Sequence, residues 1–137
     1  MLIGIGNDIV SVKRIRDTYY KYGTRFEERI YTSLEQKLVW NRGSPCFKTL
    51  SNRWAAKEAF VKALGTGFSK GILWRNITVL NDTNGKPILN ISGQAKNYLN
   101  SILPLNARPI LHLSISDEKD IVNAMVVIEA RNIINKN

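Results

Sequence analysis

The stretch SPCFKTLSNRWAAKEAFVKALGTG, residues 44–67, decides the fold of this chain. Ser44 followed by Pro45 is typical of a helix start, and the glycines at 65 and 67 are typical of a helix end. The pattern predicts a helix of about 20 residues, which is roughly 30 Å long. The rest of the chain is expected to be organised around this helix.

Two sides of the predicted helix are apolar. At 100° per residue, two apolar stripes fall on roughly opposite sides of the axis. The stripes consist of Ala56, Ala59, Phe60 and Ala63 on one side, and of Phe47, Leu50, Trp54 and Val61 on the other. A helix with this pattern is expected to pack against other elements on both sides.

Polar residues form two lines between the apolar stripes. Ser51, Glu58 and Lys62 form one line, and Arg53 and Lys57 form the other. Spacing alone favours a solvent-exposed ion pair between Glu58 and Lys62, which would contribute about 0.3–0.5 kcal/mol to the helix. The apolar residues that flank this pair favour a second interpretation, in which the charges line the wall of a cleft.

The length of 137 residues suits a single domain over residues 1–137. Cys46 is the only cysteine, which excludes a disulfide framework and a multi-cysteine zinc site and fits a reducing compartment best. No apolar run approaches the roughly 18 residues of a membrane span, and the start MLIGIGNDIV lacks the basic leader of a signal peptide. The chain is therefore expected to be cytoplasmic, with no membrane partner.

The chain is strongly basic, with a formal net charge of +9. An anionic partner is expected, and the total charge leaves nucleic acid, a phosphate-rich metabolite and an acidic protein open. Part of the charge lies on a predicted first helix that Ser11 can cap. The outer face of this helix carries Lys13, Arg14, Arg16 and Lys21. Such a face is by default solvated, and the alternative is a docking surface.

A first strand is predicted at Leu2–Val10, where the side chains alternate between two faces. Gly4 and Gly6 share a face with Asp8, so another backbone or a ligand can approach that face closely. Asp8 itself lies where the strand gives way to a turn. It is therefore either a turn or capping residue or a functional carboxylate.

Two hairpins are predicted in the second half of the chain. One has Asn84-Gly85 between alternating runs at 76–81 and 88–92, and the other joins strands at 110–116 and 121–129. His112, the only histidine, shares a polar strand face with Ser114, and it is either a hydrogen-bonded structural side chain or a functional one. These elements predict a single α+β domain, with a mostly antiparallel sheet packed against the long central helix and shorter helices.

The residues that carry chemistry are few. With one histidine and no G-x-S-x-G motif, the usual metallohydrolase and serine-hydrolase layouts are poorly supported. Asp8 and Glu58 could hold magnesium, which keeps several waters and takes one or two protein carboxylates together with substrate phosphate. Lys62 lies one helical turn from Glu58 and would reach the same phosphate. These residues predict a phosphoryl-type site.

Four blocks of the sequence resemble the bacterial holo-acyl-carrier-protein synthases, a family of small phosphopantetheinyl transferases. The blocks are GIGNDIV at 4–10, RWAAKEAFVKALGTG at 53–67, NGKP at 84–87 and HLSISD at 112–117. They occur in the family's order and with similar spacing over nearly the whole chain. The resemblance implies transfer of the 4'-phosphopantetheine arm of coenzyme A to a serine of apo acyl carrier protein in fatty acid biosynthesis, with release of adenosine 3',5'-bisphosphate.

The resemblance also implies roles for single residues. Asp8 and Glu58 match the family's magnesium ligands, and Lys62 matches the lysine placed at the coenzyme A pyrophosphate, so these three are the expected catalytic residues. Arg53 and His112 match positions that hold the phosphate on the coenzyme A ribose. The full set of expected coenzyme A contacts is Arg53, Lys57, Lys62, Gly65, His112 and Ser114.

The basic first helix gains a partner from the same resemblance. Arg14 matches a helix residue that grips the acidic recognition helix of the carrier protein, and Lys13, Arg16 and Lys21 extend that surface. The family is similar in forming a homotrimer with active sites at subunit interfaces. A homotrimer is therefore expected here.

Two other functions compete with this interpretation. A nucleic-acid-binding module would carry Lys and Arg along an exposed strand face with aromatics between them, whereas the basic residues here concentrate on helices, so nucleic acid is not expected as a partner. An interaction protein without chemistry would leave Asp8, Glu58 and Lys62 as ordinary solvated charges.

Overall fold

The structure is a computed structural model that describes residues 1–40 and 45–134. Its elements in chain order are β1 Leu2–Ser11, α1 Val12–Tyr22, α2 Thr24–Ile30, α3 Ser33–Val39, α4 Phe47–Leu64, a 3-10 turn Trp74–Asn76, β2 Ile77–Asn81, β3 Pro87–Ile91, α5 Gly93–Ser101, β4 Ala107–Glu118 and β5 Ile121–Asn132. In these ranges the strands form an antiparallel sheet in the order β1-β5-β4 and a separate β2-β3 hairpin. The predicted α+β class is confirmed.

The central helix α4 is shorter than predicted at its start. It begins at Phe47 with Cys46 as the N-cap, and Cys46 makes no side-chain capping bond. The predicted cap, Ser44, lies outside the described residues. The predicted end is confirmed, because Gly65 follows the helix in the left-handed conformation (φ 80°) and donates its N–H to the carbonyl of Lys62.

Both apolar stripes of α4 are packed, as the sequence predicts. Ala56, Ala59, Phe60 and Val61 are fully buried. One side of the helix lies on the three-stranded sheet, where the alternate β5 residues Val122, Ala124, Val126 and Ile128 are also fully buried.

Strand β1 reaches α4 because it carries two glycines. A Cβ added to Gly4 would lie 1.9 Å from the carbonyl oxygen of Ala63, and one added to Gly6 would lie 1.8 Å from that of Ala59. The close backbone approach that the sequence predicts is therefore confirmed, and the backbone that approaches is that of α4. This contact places Asp8, two residues after Gly6, beside the same helix.

The opposite face of the three-stranded sheet is open in a single chain. Ile5 and Ile9 of β1 are 58% and 63% exposed, and Met125 of β5 is 44% exposed. His112 and Ser114 lie on this outer face, because their neighbours Leu113 and Ile115 on β4 belong to the face that meets α4. Among the described helices, none combines the length and apolar character that a membrane crossing requires.

Candidate active site at the β1 and α4 contact

Asp8 and Lys62 meet where β1 crosses α4. Lys62 Nζ lies 2.9 Å from Asp8 Oδ1 and donates a second hydrogen bond to the carbonyl of Asn7 at 3.0 Å. The predicted turn at Asp8 is wrong, because β1 continues to Ser11. The ion pair of Lys62 is with Asp8. Spacing alone favours a pair between Lys62 and Glu58, but β1 presents to the lysine a carboxylate that helix periodicity does not reveal.

Glu58 lies one turn before Lys62 and is partly buried. Burial raises the pKa of its carboxyl, and the negative charge of Asp8 raises the pKa further, while Lys62 and Arg14 oppose these effects. Asp8 is therefore one of the charges that act on the Glu58 carboxyl. Asp8 pairs with Lys62, and Glu58 lies one helical turn before Lys62 on α4. That the two acids share a metal remains a prediction.

The effect of the Asp8 charge on the pKa of Glu58 can be measured in the metal-free protein. Asp8→Asn removes a negative charge beside Glu58, so the pKa of Glu58 is expected to fall toward its ordinary value. Carbon-detected NMR titration of the Glu58 carboxyl measures the change. An unaltered pKa in Asp8→Asn would show that the two acids do not interact.

The donor set fits a magnesium ion. The described part of the chain contains no cluster of three or more His, Cys, Asp or Glu side chains arranged to hold a metal. Magnesium does not require such a cluster, since it binds through one or two carboxylates, several waters and substrate phosphate. Asp8 and Glu58 would supply those carboxylates, and Lys62 lies beside Asp8.

The expected docking residues lie on the outer face of α1. Lys13, Arg14, Arg16 and Lys21 are all exposed. Ser11 caps this helix by accepting a hydrogen bond from the N–H of Arg14. The Arg14 guanidinium lies 5.9 Å from the ring centroid of Trp54, which places it beside the α4 face that carries Glu58.

An aromatic cavity adjoins this basic surface. It has a volume of about 520 Å³, and its lining includes Tyr22, Phe26, Trp54, Arg25 and Arg29. Sequence reasoning missed the two arginines, although α2 follows α1 directly and its charges, read as a continuation of the α1 face, would have indicated them.

Arg53 lies in a different cavity, on the side of α4 that faces the β2-β3 hairpin. This cavity has a volume of about 630 Å³ and is lined also by Asn81, Gly85 and Pro87 of the hairpin. Arg53 is buried, with 7% of its surface exposed. Its Nη2 donates to Asn81 at 3.4 Å, and its buried Nε has no hydrogen-bond partner. Such a donor suits an anionic ligand in this cavity.

Lys57 does not line either cavity. Its side chain is fully buried and pairs with Glu35 at 2.6 Å. Burial lowers the pKa of Lys57 to about 8, and the Glu35 carboxylate opposes this shift. The expected contact between Lys57 and coenzyme A would require a side chain that protein encloses, because the Lys57 ammonium bonds to Ile30 of α2, Glu35 of α3 and Trp74 of the 3-10 turn.

The backbone amides of residues 65–67, which follow α4, cap the end of that helix. The N–H of Gly65 bonds to the carbonyl of Lys62, and those of Thr66 and Gly67 bond to the carbonyl of Val61. These N–H groups already donate hydrogen bonds within the protein, so they are not available to a phosphate. The expected contact of Gly65 with coenzyme A remains a prediction.

His112 and Ser114 are not brought to the other site residues in one chain. Asp8 pairs with Ala124, and Ala124 pairs with Ile115, which is three residues from His112 along β4. His112 is thus roughly 10 Å along and two strands across from Asp8, and on the opposite face of the sheet. It is 3.0 Å from Glu129, which Arg131 also contacts at 3.2 Å.

Comparison with known proteins decides the family. A family model, the 4'-phosphopantetheinyl transferase superfamily, matches residues 4–109. The chain belongs to this superfamily.

Members of the 4'-phosphopantetheinyl transferase superfamily resemble the chain over nearly its whole length. A holo-[acyl-carrier-protein] synthase of Brucella ovis is 38% identical over 130 residues, which cover 95% of this chain and 96% of the relative. The crystal structure of the synthase from Neisseria meningitidis is 42% identical with a TM-score of 0.81, covering 94% of this chain and 99% of that one.

A third relative was solved with a nucleotide ligand. The synthase from Bacillus anthracis, solved in complex with CoA (3',5'-ADP), is 36% identical with a TM-score of 0.75 and covers 96% of this chain and 99% of that one. The predicted resemblance is confirmed. The alternative of a nucleic-acid-binding module has no support from these relatives.

Proposed function

We propose that this chain transfers the 4'-phosphopantetheine arm of coenzyme A to a serine of apo acyl carrier protein, yielding holo carrier protein and adenosine 3',5'-bisphosphate, as a cytoplasmic step of fatty acid biosynthesis. The observation that carries the proposal is the ion pair of Asp8 with Lys62 at the contact of β1 with α4, one helical turn from Glu58. The names of the relatives support the same activity.

Each of the three residues has a distinct task in this reaction. Asp8 and Glu58 would hold magnesium, which when bound offsets negative charge on the coenzyme A pyrophosphate. Lys62 places an ammonium group at the phosphate that departs, where negative charge develops in the transition state. The partly buried setting of Glu58 strengthens these charge interactions relative to open water. Glu58 is also our candidate base for the serine proton.

The nucleotide half of coenzyme A is assigned to the Arg53 cavity. The unpartnered Nε of Arg53 supplies a donor for the phosphate on the ribose, and the walls come from the NGKP turn that the family resemblance singles out. Asp117, which also lines this cavity, forms an ion pair at 2.8 Å with Lys48 in the first turn of α4.

A homotrimer accounts for the position of His112. The outer face of the three-stranded sheet exposes Ile5, Ile9 and Met125, which suits burial against another copy. Because His112 shares this face, it would reach the Asp8 and Glu58 region of a neighbouring copy. Active sites formed between subunits follow from this arrangement.

The intersubunit site predicts complementation between inactive variants. Homotrimers of Asp8→Asn and of His112→Ala are each expected to lose most activity. Co-refolded mixtures are expected to regain a fraction of it, because some interfaces combine an intact Asp8 with an intact His112. Mixtures that stay as inactive as the separate variants would contradict a shared site.

Carrier protein is assigned to α1 and the aromatic cavity. An acidic amphipathic helix matches this surface in charge, and the aromatic lining offers a place for an apolar side chain. Arg14→Glu is expected to raise the KM for carrier protein at least about tenfold, since a like charge replaces an attractive one. Steady-state kinetics with each substrate varied measures this change.

The matched control for Arg14→Glu is Lys96→Glu, which makes the same kind of charge reversal on the exposed side of α5. We expect the control to leave the KM for carrier protein near the wild-type value, and neither variant to alter coenzyme A binding strongly. An equal loss for both substrates in Arg14→Glu would argue against docking on α1.

The direct test of the proposed function is a mass measurement. Purified protein with magnesium and coenzyme A is expected to add one phosphopantetheine arm to apo acyl carrier protein, and a carrier with its acceptor serine replaced by alanine is expected to gain nothing. The absence of a mass gain on a competent carrier would remove the proposal.

A further inference from the structure

A buried ion pair joins α4 to the elements around it. Lys57 Nζ lies 2.6 Å from Glu35 Oε1, with both side chains fully buried. Lys57 also donates to the carbonyls of Ile30 at 2.6 Å and Trp74 at 3.4 Å. An ammonium group has three N–H donors, so all of them are used inside the protein and none is left for a ligand.

Glu35 extends this network to the hairpin. Its Oε1 accepts the N–H of Thr32 at 2.9 Å, which closes the capping box of α3. Its Oε2 accepts the N–H of Val79 at 3.0 Å. Val79 belongs to β2, whose one partner strand within the described sheets is β3. The carboxylate thus binds an N–H on the free edge of the hairpin.

The anchored strand is a wall of the Arg53 cavity. Val79 itself lines the cavity, and Asn81, two residues further on β2, accepts the hydrogen bond from Arg53. Lys57 lies one turn after Arg53 on α4. The pair therefore connects the two sides of the cavity, one on the helix and one on the hairpin, close to the group assigned to the ligand phosphate.

We propose that Lys57 and Glu35 act together as a positioning pair, which holds the β2-β3 hairpin at a set distance from α4 and so shapes the nucleotide cavity around Arg53. The identity of the ligand as coenzyme A rests on the proposed function above. Lys57 acts on the ligand through the hairpin, without touching it.

Charge distinguishes a positioning pair from a direct contact. If Lys57 bound a phosphate of coenzyme A, removing the competing negative charge in Glu35→Gln would tighten binding of this anion. If the pair positions the hairpin, the same substitution weakens binding, because an amide has one acceptor oxygen where the carboxylate uses two. The two roles therefore predict opposite signs.

The experiment measures equilibrium binding of coenzyme A, by calorimetry with magnesium and without carrier protein, to Glu35→Gln, Lys57→Met and the double variant. Each Kd is expected to rise about tenfold, with the double variant no weaker than the worse single one, because coupled residues are not additive. Lys57→Met leaves a buried carboxylate unpaired and can fail to fold, whereas the double variant removes both charges and is expected to fold. Lys96→Met is the matched control for loss of one positive charge.

Amide hydrogen exchange of the hairpin supplies a readout that does not depend on coenzyme A. The amide of Val79 is expected to exchange faster in Glu35→Gln than in wild type, while amides in β5 keep their rates. Tighter or unchanged coenzyme A binding in Glu35→Gln would overturn the positioning role. Wild-type protein that binds no coenzyme A would instead overturn the proposed function, and the exchange rates would still decide whether the pair anchors the hairpin.

Discussion

Glu58→Gln is expected to lower kcat for phosphopantetheine transfer at least about a hundredfold, with little change in fold. The substitution keeps the volume of the side chain and removes the negative charge, so one of two carboxylates assigned to magnesium is lost. Charge stabilisation at a departing phosphate contributes several kcal/mol to catalysis, and removing one such contribution costs a factor of about 10² to 10³. Steady-state kinetics at saturating coenzyme A and carrier protein measures the loss.

The dependence on magnesium makes this prediction specific. If Glu58 is a ligand, the magnesium concentration for half-maximal rate is expected to rise in Glu58→Gln, and excess magnesium is expected to restore part of the activity. Glu118→Gln, at an exposed position of β4, is the matched control and should behave as wild type. A Glu58→Gln variant with the wild-type rate and magnesium dependence would place the metal and the chemistry elsewhere.

Gly6→Ala is expected to destabilise the protein strongly, although it adds a single methyl group. The added Cβ would overlap the carbonyl oxygen of Ala59 and lie 2.6 Å from the backbone nitrogen of Ala63. These are backbone atoms of a regular helix, so β1 must separate from α4. The free energy of unfolding is expected to fall by about 3 kcal/mol or more, and the Tm by roughly 10 °C.

The control for Gly6→Ala is Gly65→Ala. An added Cβ at Gly65 meets no atom within 4 Å, and the cost comes only from the left-handed backbone, at about 1 kcal/mol. Thermal unfolding followed by circular dichroism compares the two variants. Equal melting temperatures for Gly6→Ala and wild type would mean that β1 does not rest on the helix backbone.

Both predictions concern the contact of β1 with α4, two elements that are far apart in the sequence. Gly4 and Gly6 indicated a close approach to β1, and Asp8 on their face was a candidate ligand, but neither observation named the partner. The apolar stripes of α4 indicated burial on two sides without showing which elements cover each side. Periodicity records that a face is buried, and only the packed structure shows what lies against it.

The polar lines of α4 show where prediction from the sequence stopped. On the line of Glu58 and Lys62, the charge that pairs with Lys62 comes from Asp8 of β1. Arg53 and Lys57, on the other line, have different surroundings. Arg53 lines a cavity, whereas Lys57 is buried in an ion pair with Glu35. Spacing along one helix cannot separate these outcomes, since both depend on side chains distant in sequence.

By itself the sequence determined the α+β class, the glycine face of β1, the hairpin at Asn84-Gly85 and the motif blocks that place the chain in its family. Each of these depends on local residue spacing and backbone preference. The tertiary structure alone decided that Lys62 pairs with Asp8, that Lys57 is buried and pairs with Glu35, and that His112 faces away from the acids of its own chain. Those facts depend on strand register and helix packing, which bring together residues more than twenty positions apart, and no local pattern specifies such distances.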